Sequence, residues 1–173
     1  MLGGPGDGPT LRLDHERFAY AGKFVVSRTG KAVAREEGEV LAAASFDRDR
    51  TDETVARIRY VTVRGDRRGE GIGPRLLSFL AARLLDDVRR VLIAVNNAYA
   101  YEAAYKAGFS NTGERTGLAE AVLARPGDRS TAAYRAGLAW LRERDGLTAR
   151  ERAFVDGRVG AAPPPPVDRI PDA

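Results

Sequence analysis

At 173 residues the chain is long enough for one well-buried domain and too short for two large ones. Its apolar and charged fractions, 43% and 30%, are those of a globular protein and not of a disordered one. There is no cysteine and a single histidine, His15, which excludes disulfides, thiolate metal sites and histidine clusters and fits a cytoplasmic protein. The net charge is +4, carried almost wholly by arginine, since the only lysines are Lys23, Lys31 and Lys106. Such a balance suits a polyanionic small ligand, nucleic acid or an anionic surface, and equally suits an arginine-rich composition with no ligand behind it.

Residues 1–9 are rich in Gly and Pro and are expected to be flexible; they lack the basic start and apolar core of a signal peptide. No apolar run is long enough to span a bilayer. Residues 10–13 predict a short first strand, and 14–22 leave room for one or two helical turns. Lys23–Ser27 and Lys31–Arg35 read as extended pieces around a turn at Thr29 and Gly30. Gly38 marks a further turn. Val40–Phe46, small and apolar on both faces, predicts a central strand covered on both sides. Residues 47–53 are a charged loop, and Val55–Val63 alternates β-branched and apolar residues as a strand does.

A glycine-rich, arginine-rich turn follows, from Arg64 to Pro74. Ile72, Leu76, Leu80 and Leu84 then recur every four residues, with Leu77 and Ala81 beside them, as on the core-facing side of a helix. Pro74 is tolerated only in the first helical turn, which fixes the helix start near Gly71–Gly73. Val91–Val95 is a buried strand. Asn96 or Asn97 can cap the next helix, which Gly108 stops. Phe109–Gly113 and Leu118–Ala124 predict two strands around a turn at 114–117. Ser130–Arg144 is a helix, and Thr148 with Glu151 forms a capping-box pattern before a short last helix. The four consecutive prolines after Ala162 predict an extended, unpacked tail. The fold expected is mixed α/β, a single central mixed sheet flanked by helices, with extra C-terminal helices. Its parts are residues 10–127 as the main domain, 128–157 as a helical extension packed on the domain or at a dimer contact, and 158–173 as a proline-rich disordered tail.

The turn is an anion site in physical terms. Glycines let backbone N–H groups approach a ligand, and a helix N-terminus adds partial positive charge. A dinucleotide fingerprint fails, because the third glycine of G-x-G-x-x-G is replaced by Pro74 in one frame and Leu76 in the other. A Walker A loop fails for want of G-K-[ST]. A tight turn without function also satisfies the local pattern. The pattern that fits is R-x-x-G-x-G at Arg68, Gly71 and Gly73, after a strand ending at Val63. In register behind it come Asn97, Ala100, Gly108 and Phe109. Over residues 23–124 the chain resembles the GNAT (GCN5-related) N-acetyltransferases, whose acetyl-CoA motif and following N-x-x-A and G-F landmarks these residues match.

That resemblance implies acetyl-CoA as cosubstrate, with no metal, and an amine acceptor. Val61, Thr62 and Val63 would pair with the pantetheine arm. The backbone from Arg68 through Gly69, Gly71 and Ile72 to Gly73 would hold the pyrophosphate, with charge from Arg67 and Arg68. Asn97 would contribute from the second motif. The thioester would lie between strands 55–63 and 91–95, and the amine would attack it directly in a ternary complex, with a backbone N–H such as that of Val61 facing the developing oxyanion. The family commonly places a tyrosine four residues before the glycine of G-F; here that position is Ala104. Tyr101, which shares its helix face, and Tyr105 beside it are the candidate proton donors to the thiolate, and packing is the alternative for both. The glutamate often found on the strand before the turn is missing, which leaves His15, Glu16 or water as routes for the amine proton.

Three functions follow: an acetyl-CoA-dependent N-acyltransferase acting on a primary amine, a GNAT-like module that holds CoA or acyl-CoA without efficient catalysis, and an RNA-associated protein. The last lacks the interleaved aromatic and basic motifs of RNA modules. A membrane is not an expected partner, and a homodimer is an open possibility.

Overall fold

The computed structural model describes residues 10–25 and 28–168. The expectation for residues 1–9, and those parts of the Lys23–Ser27 and 158–173 expectations that concern 26–27 and 169–173, lie outside the described residues. The fold is mixed α/β. Six strands form one mixed sheet in the order β1-β2-β3-β4-β6-β5. They are β1 Gly30–Glu36, β2 Glu39–Arg48, β3 Val55–Val63, β4 Arg90–Val95, β5 Ser110–Arg115 and β6 Ala121–Arg125. The helices are α1 Ile72–Leu84, α2 Ala98–Lys106, α3 Thr131–Arg142 and α4 Ala149–Asp156. The chain divides into two compact units, one running to Val91 and the other spanning Leu92–Val167. The division falls within β4.

The first unit is built on two antiparallel pairings. Glu37 and Gly38 both adopt positive φ, 49° and 83°, as a two-residue hairpin turn requires if its twist is to match the strands. They join β1 to β2. Leu41 to Ser45 are all buried, so β2 is covered on both faces as its small residues foretell. β3 pairs with β2 from Ala42↔Val63 to Arg48↔Ala56, with a register shift that leaves Arg59 as the extra residue between Tyr60 and Ile58. On α1 the buried side chains are Leu76, Leu77, Leu80 and Ala81, the middle of the stripe read from the sequence, together with Ser78; Ile72 and Leu84 at its ends are half-buried. Each leucine stabilises the unit by about 1.5–3 kcal/mol through burial.

Two expectations for the N-terminal segment are corrected. Residues 11–13 form no strand. Asp14 instead accepts backbone bonds from Arg17 and Phe18, opening a turn. Lys23 is not in an extended piece, because Ala21–Phe24 forms a 3-10 turn that buries Ala21 and Phe24.

The second unit has a core of Tyr101, Tyr105, Phe109, Leu123, Tyr134, Leu138, Leu141 and Val155, all buried. β6 starts at Ala121, later than expected, because Thr116 and Glu120 close a turn that leaves Leu118 83% exposed. The capping box forms as read: Thr148 accepts from the Glu151 N–H, and the Glu151 carboxylate accepts from the Thr148 N–H. The helical extension packs within this unit, where the Tyr134 hydroxyl donates to Glu102 at 2.7 Å. The proline run adopts neither helix nor strand, but it is not unpacked. Arg135 holds the carbonyls of Gly160 and Ala161, Arg129 that of Pro164, and the Val167 N–H donates to Lys106 at 2.7 Å. These bonds satisfy carbonyls that a proline-rich segment cannot pair along its own backbone.

Candidate active site

The turn between β3 and α1 is anchored by its first residue. Arg64 is buried, and its guanidinium pairs with Glu39 at 2.6 Å and Asp66 at 2.7 Å. Its backbone N–H donates to Leu41, that of Gly65 to Arg17, and that of Arg67 to Arg64. The Arg64 guanidinium holds the Asp66 carboxyl below the usual carboxylate range. Sequence reasoning missed this anchor. Asp66 two residues away was a signal, but Glu39 arrives from 25 positions earlier.

Beyond Arg67 the backbone opens. Gly69 and Gly71 have φ of +85° and +76°, a left-handed conformation that side chains disfavour. A Cβ at either would meet nothing within 4 Å, so these glycines are needed for backbone shape and not for room. Gly73 differs: a Cβ there would stand 3.3 Å from Val63 Cγ2, so its role is close approach of helix to strand. Gly71 is the N-cap of α1 and provides no side-chain cap. The first helical bond runs from the Arg75 N–H to Gly71 at 3.2 Å, and Pro74 has no N–H. The N–H groups of the last turn residues and of Ile72 and Gly73 therefore sit at an uncapped helix N-terminus, where partial positive charge gathers.

Charge at the turn is distributed unevenly. Arg67 lies between Glu36 at 2.7 Å and Glu70 at 2.8 Å, hydrogen bonds that hold it protonated and push the Glu36 carboxyl down. Its charge is thus locally balanced. Arg68 meets no carboxylate among the described residues; its Nε reaches only the Val63 carbonyl, at 3.5 Å. Of Val61, Thr62 and Val63, which precede the turn on β3, only Thr62 is fully buried.

In the second unit, Asn97 caps α2: its side-chain oxygen accepts from the Ala100 N–H at 2.8 Å, and its amide donates to Asn96. Tyr101 and Tyr105 are fully buried. The Tyr101 hydroxyl donates to the Tyr134 carbonyl at 2.9 Å, and the Tyr105 hydroxyl accepts from the Asn111 N–H at 2.9 Å. The rings of Tyr101, Tyr105 and Tyr134 lie 4.8–5.9 Å apart. Burial pushes the Tyr101 phenol well above its usual value. The Tyr101 hydroxyl thus spends its proton on a core carbonyl, while the Tyr105 hydroxyl serves a backbone N–H as acceptor.

The sequence from residue 7 to residue 109 matches the model of the acetyltransferase (GNAT) family. The chain belongs to that family. Solved structures of GNAT enzymes share the fold. One, a GNAT acetyltransferase from Desulfovibrio desulfuricans, is 16% identical, with a TM-score of 0.50 over 56% of this chain and 67% of that one. An N-acetyltransferase from Staphylococcus aureus Mu50 is 21% identical, with a TM-score of 0.48 over 56% of this chain and 66% of its own. The chain thus spans a little under two thirds of that protein's length. An aminoglycoside acetyltransferase, solved with coenzyme A and kanamycin, is 23% identical, with a TM-score of 0.49 over 56% and 66% of the two chains. No curated protein matches the sequence significantly.

The R-x-x-G-x-G turn forms an open helix start, while Asn97 and the tyrosines behind it form a cap and a core. Ala104, at the position where the family commonly has tyrosine, is fully buried as well. Among the described residues no group of three His, Asp or Glu side chains is arranged to hold a metal ion, and no helix is long and apolar enough to cross a membrane.

Proposed function

We propose that the protein transfers the acetyl group of acetyl-CoA to a primary amine. The observation that carries this reading is the uncapped start of α1, where two left-handed glycines open the backbone and Arg68 remains uncompensated. In this reading the amides from Arg68 to Gly73 receive the pyrophosphate, Arg68 supplies side-chain charge, and Arg67 with Glu36 and Glu70 holds the turn's shape. The backbone of Val61–Val63 lies along the pantetheine, and the Val61 N–H faces the oxygen on which charge develops. The thioester supplies an activated acyl carbon, so the chain's main task is to hold it against the amine. The amine's proton leaves to water, since β3 carries no carboxylate and the tyrosines are sealed in the core.

Calorimetry with acetyl-CoA tests the binding half. Wild type is expected to give a saturable heat and Gly71→Glu none; equal heats in both would show that the turn is not the site. A second reading, a CoA-binding module without efficient catalysis, is favoured by the engaged hydroxyls of Tyr101 and Tyr105. Thiol release with a panel of amines separates the two. Release above the rate of hydrolysis supports the transferase, and binding without release supports the module.

A further inference from the structure

One face of the β2–β3 pair carries polar groups that the turn does not use. Tyr60 stands directly opposite Ser45 in the register, and Thr62 lies two residues further along β3, so these three side chains share a face. The hydroxyls of Ser45 and Thr62 are buried, and neither has a hydrogen-bond partner among the described residues. Buried hydroxyls are nearly always paired, so two on one face mark a place that a polar group from outside would complete. The other face, with Val63, is the one on which α1 begins.

The segment around Tyr20 reaches this face. The Tyr20 ring lies 6.0 Å from that of Tyr60. Tyr20 is held at φ +59° and is 60% exposed. A non-glycine residue in that conformation is strained, and such strain tends to gather where ligands are held. The Lys23 ammonium stands 5.6 Å from the centre of the Tyr60 ring, within the range of a cation–π contact. Among the described residues Lys23 meets no carboxylate. The ring of Tyr60 therefore already carries a primary alkylammonium, supplied by the chain itself.

We propose that this face seats the amine acceptor, that the acceptor is a primary alkylammonium, and that Lys23 occupies the seat until the acceptor displaces it. This rests on the acetyl-transfer reading above. Tyr60 precedes Val61 by one peptide, which sets the seat beside the stretch of β3 assigned to the thioester. The ring takes the cation, as it takes that of Lys23, and the Ser45 and Thr62 hydroxyls, which Lys23 does not reach, are acceptors that an incoming amine would gain on displacing it. Once the ammonium has lost a proton to water, its nitrogen bonds to the acetyl carbon. The C–S bond breaks, CoA leaves as thiolate and takes up a proton, and the amide nitrogen loses its second proton to solvent.

Titration of n-butylammonium into the free protein, followed by the NMR signals of the Tyr60 ring, tests the seat without turnover. A saturable shift is expected, tightened about threefold in Lys23→Ala by loss of the internal competitor, lost in Tyr60→Leu and recovered in Tyr60→Phe. In turnover, Tyr60→Leu is expected to raise the KM for n-butylamine about tenfold with kcat within about twofold. Comparing Nα-acetyl-lysine amide with spermidine then tells a lysine side chain from a polyamine. An unmoved Tyr60 ring, or an affinity that Lys23→Ala leaves unchanged, would overturn the proposal. Saturable binding at Tyr60 without CoA release from any amine would uphold the seat and remove the acetyl-transfer reading instead.

Discussion

The helices of this protein start in two different ways. α2, α3 and α4 begin on Asn97, Ser130 and Thr148, and each of these side chains accepts a backbone N–H of the first turn. α1 begins on Gly71, which has no side chain to offer. A capped start is complete in itself, and each cap stabilises its helix by about 1 kcal/mol. An uncapped start leaves amide groups and partial charge for something else to satisfy. The two motifs of the GNAT resemblance fall on opposite sides of this divide: the glycine turn makes the open start, and Asn97 makes a closed one. The same motif match in sequence therefore marks an open helix start in one unit and a capped one in the other.

The largest effect that could break the contrast is at the open start. Gly71→Glu places a like charge and a side chain at φ +76°, and acetyl-CoA affinity is expected to fall by at least about 100-fold, or about 2.7 kcal/mol, by calorimetry. Arg68→Ala is expected to weaken affinity about tenfold, with Arg67→Ala within about threefold, since among the described residues Arg68 meets no carboxylate and Arg67 meets two. Equal losses would show that the carboxylates around Arg67 do not balance it.

The closed start makes the converse prediction. Asn97→Ala is expected to lower stability by about 1 kcal/mol in denaturant unfolding and to leave acetyl-CoA affinity unchanged. Tyr101→Phe removes the bond to the Tyr134 carbonyl and is expected to cost about 1 kcal/mol of stability with kcat intact; a large drop in kcat at unchanged stability would restore the phenol as proton donor.

The smallest effect concerns acid. Asp49 is held well below the usual carboxylate range by hydrogen bonds from Thr51 and by Arg57, and Asp66 and Glu36 are lowered by Arg64 and Arg67. A carboxyl lowered in the folded state contributes stability that is fully present above its unfolded pKa of about 4 and is lost as pH falls through the lower folded value. The melting temperature is accordingly expected to fall modestly below about pH 4. Arg57→Ala should flatten part of that decline.

What could be read from the sequence was local. Pro74 fixed the start of α1 because a missing N–H is tolerated in few places, and the structure starts the helix at Ile72. Thr148 and Glu151 gave the capping box because both partners lie within one turn. The hidden features depend on residues far apart in the chain. Arg64 is anchored by Glu39, Tyr101 bonds a carbonyl 33 residues away, and Arg129 holds Pro164 across 35. Helical spacing told which way Tyr101 points and could not tell that Tyr134 waits there. The N-terminal segment was misread for another reason: Leu11 and Leu13 suggest alternation, but no partner strand pairs with them among the described residues.

The most direct measurement is a backbone amide NMR titration of the protein with acetyl-CoA. The N–H signals from Arg68 to Gly73 are expected to shift in a saturable way, while that of Ala100, already bonded to Asn97, stays where it is. Signals of Arg68–Gly73 that remain still while acetyl-CoA binds elsewhere would contradict the assignment of the open helix start as the cofactor site.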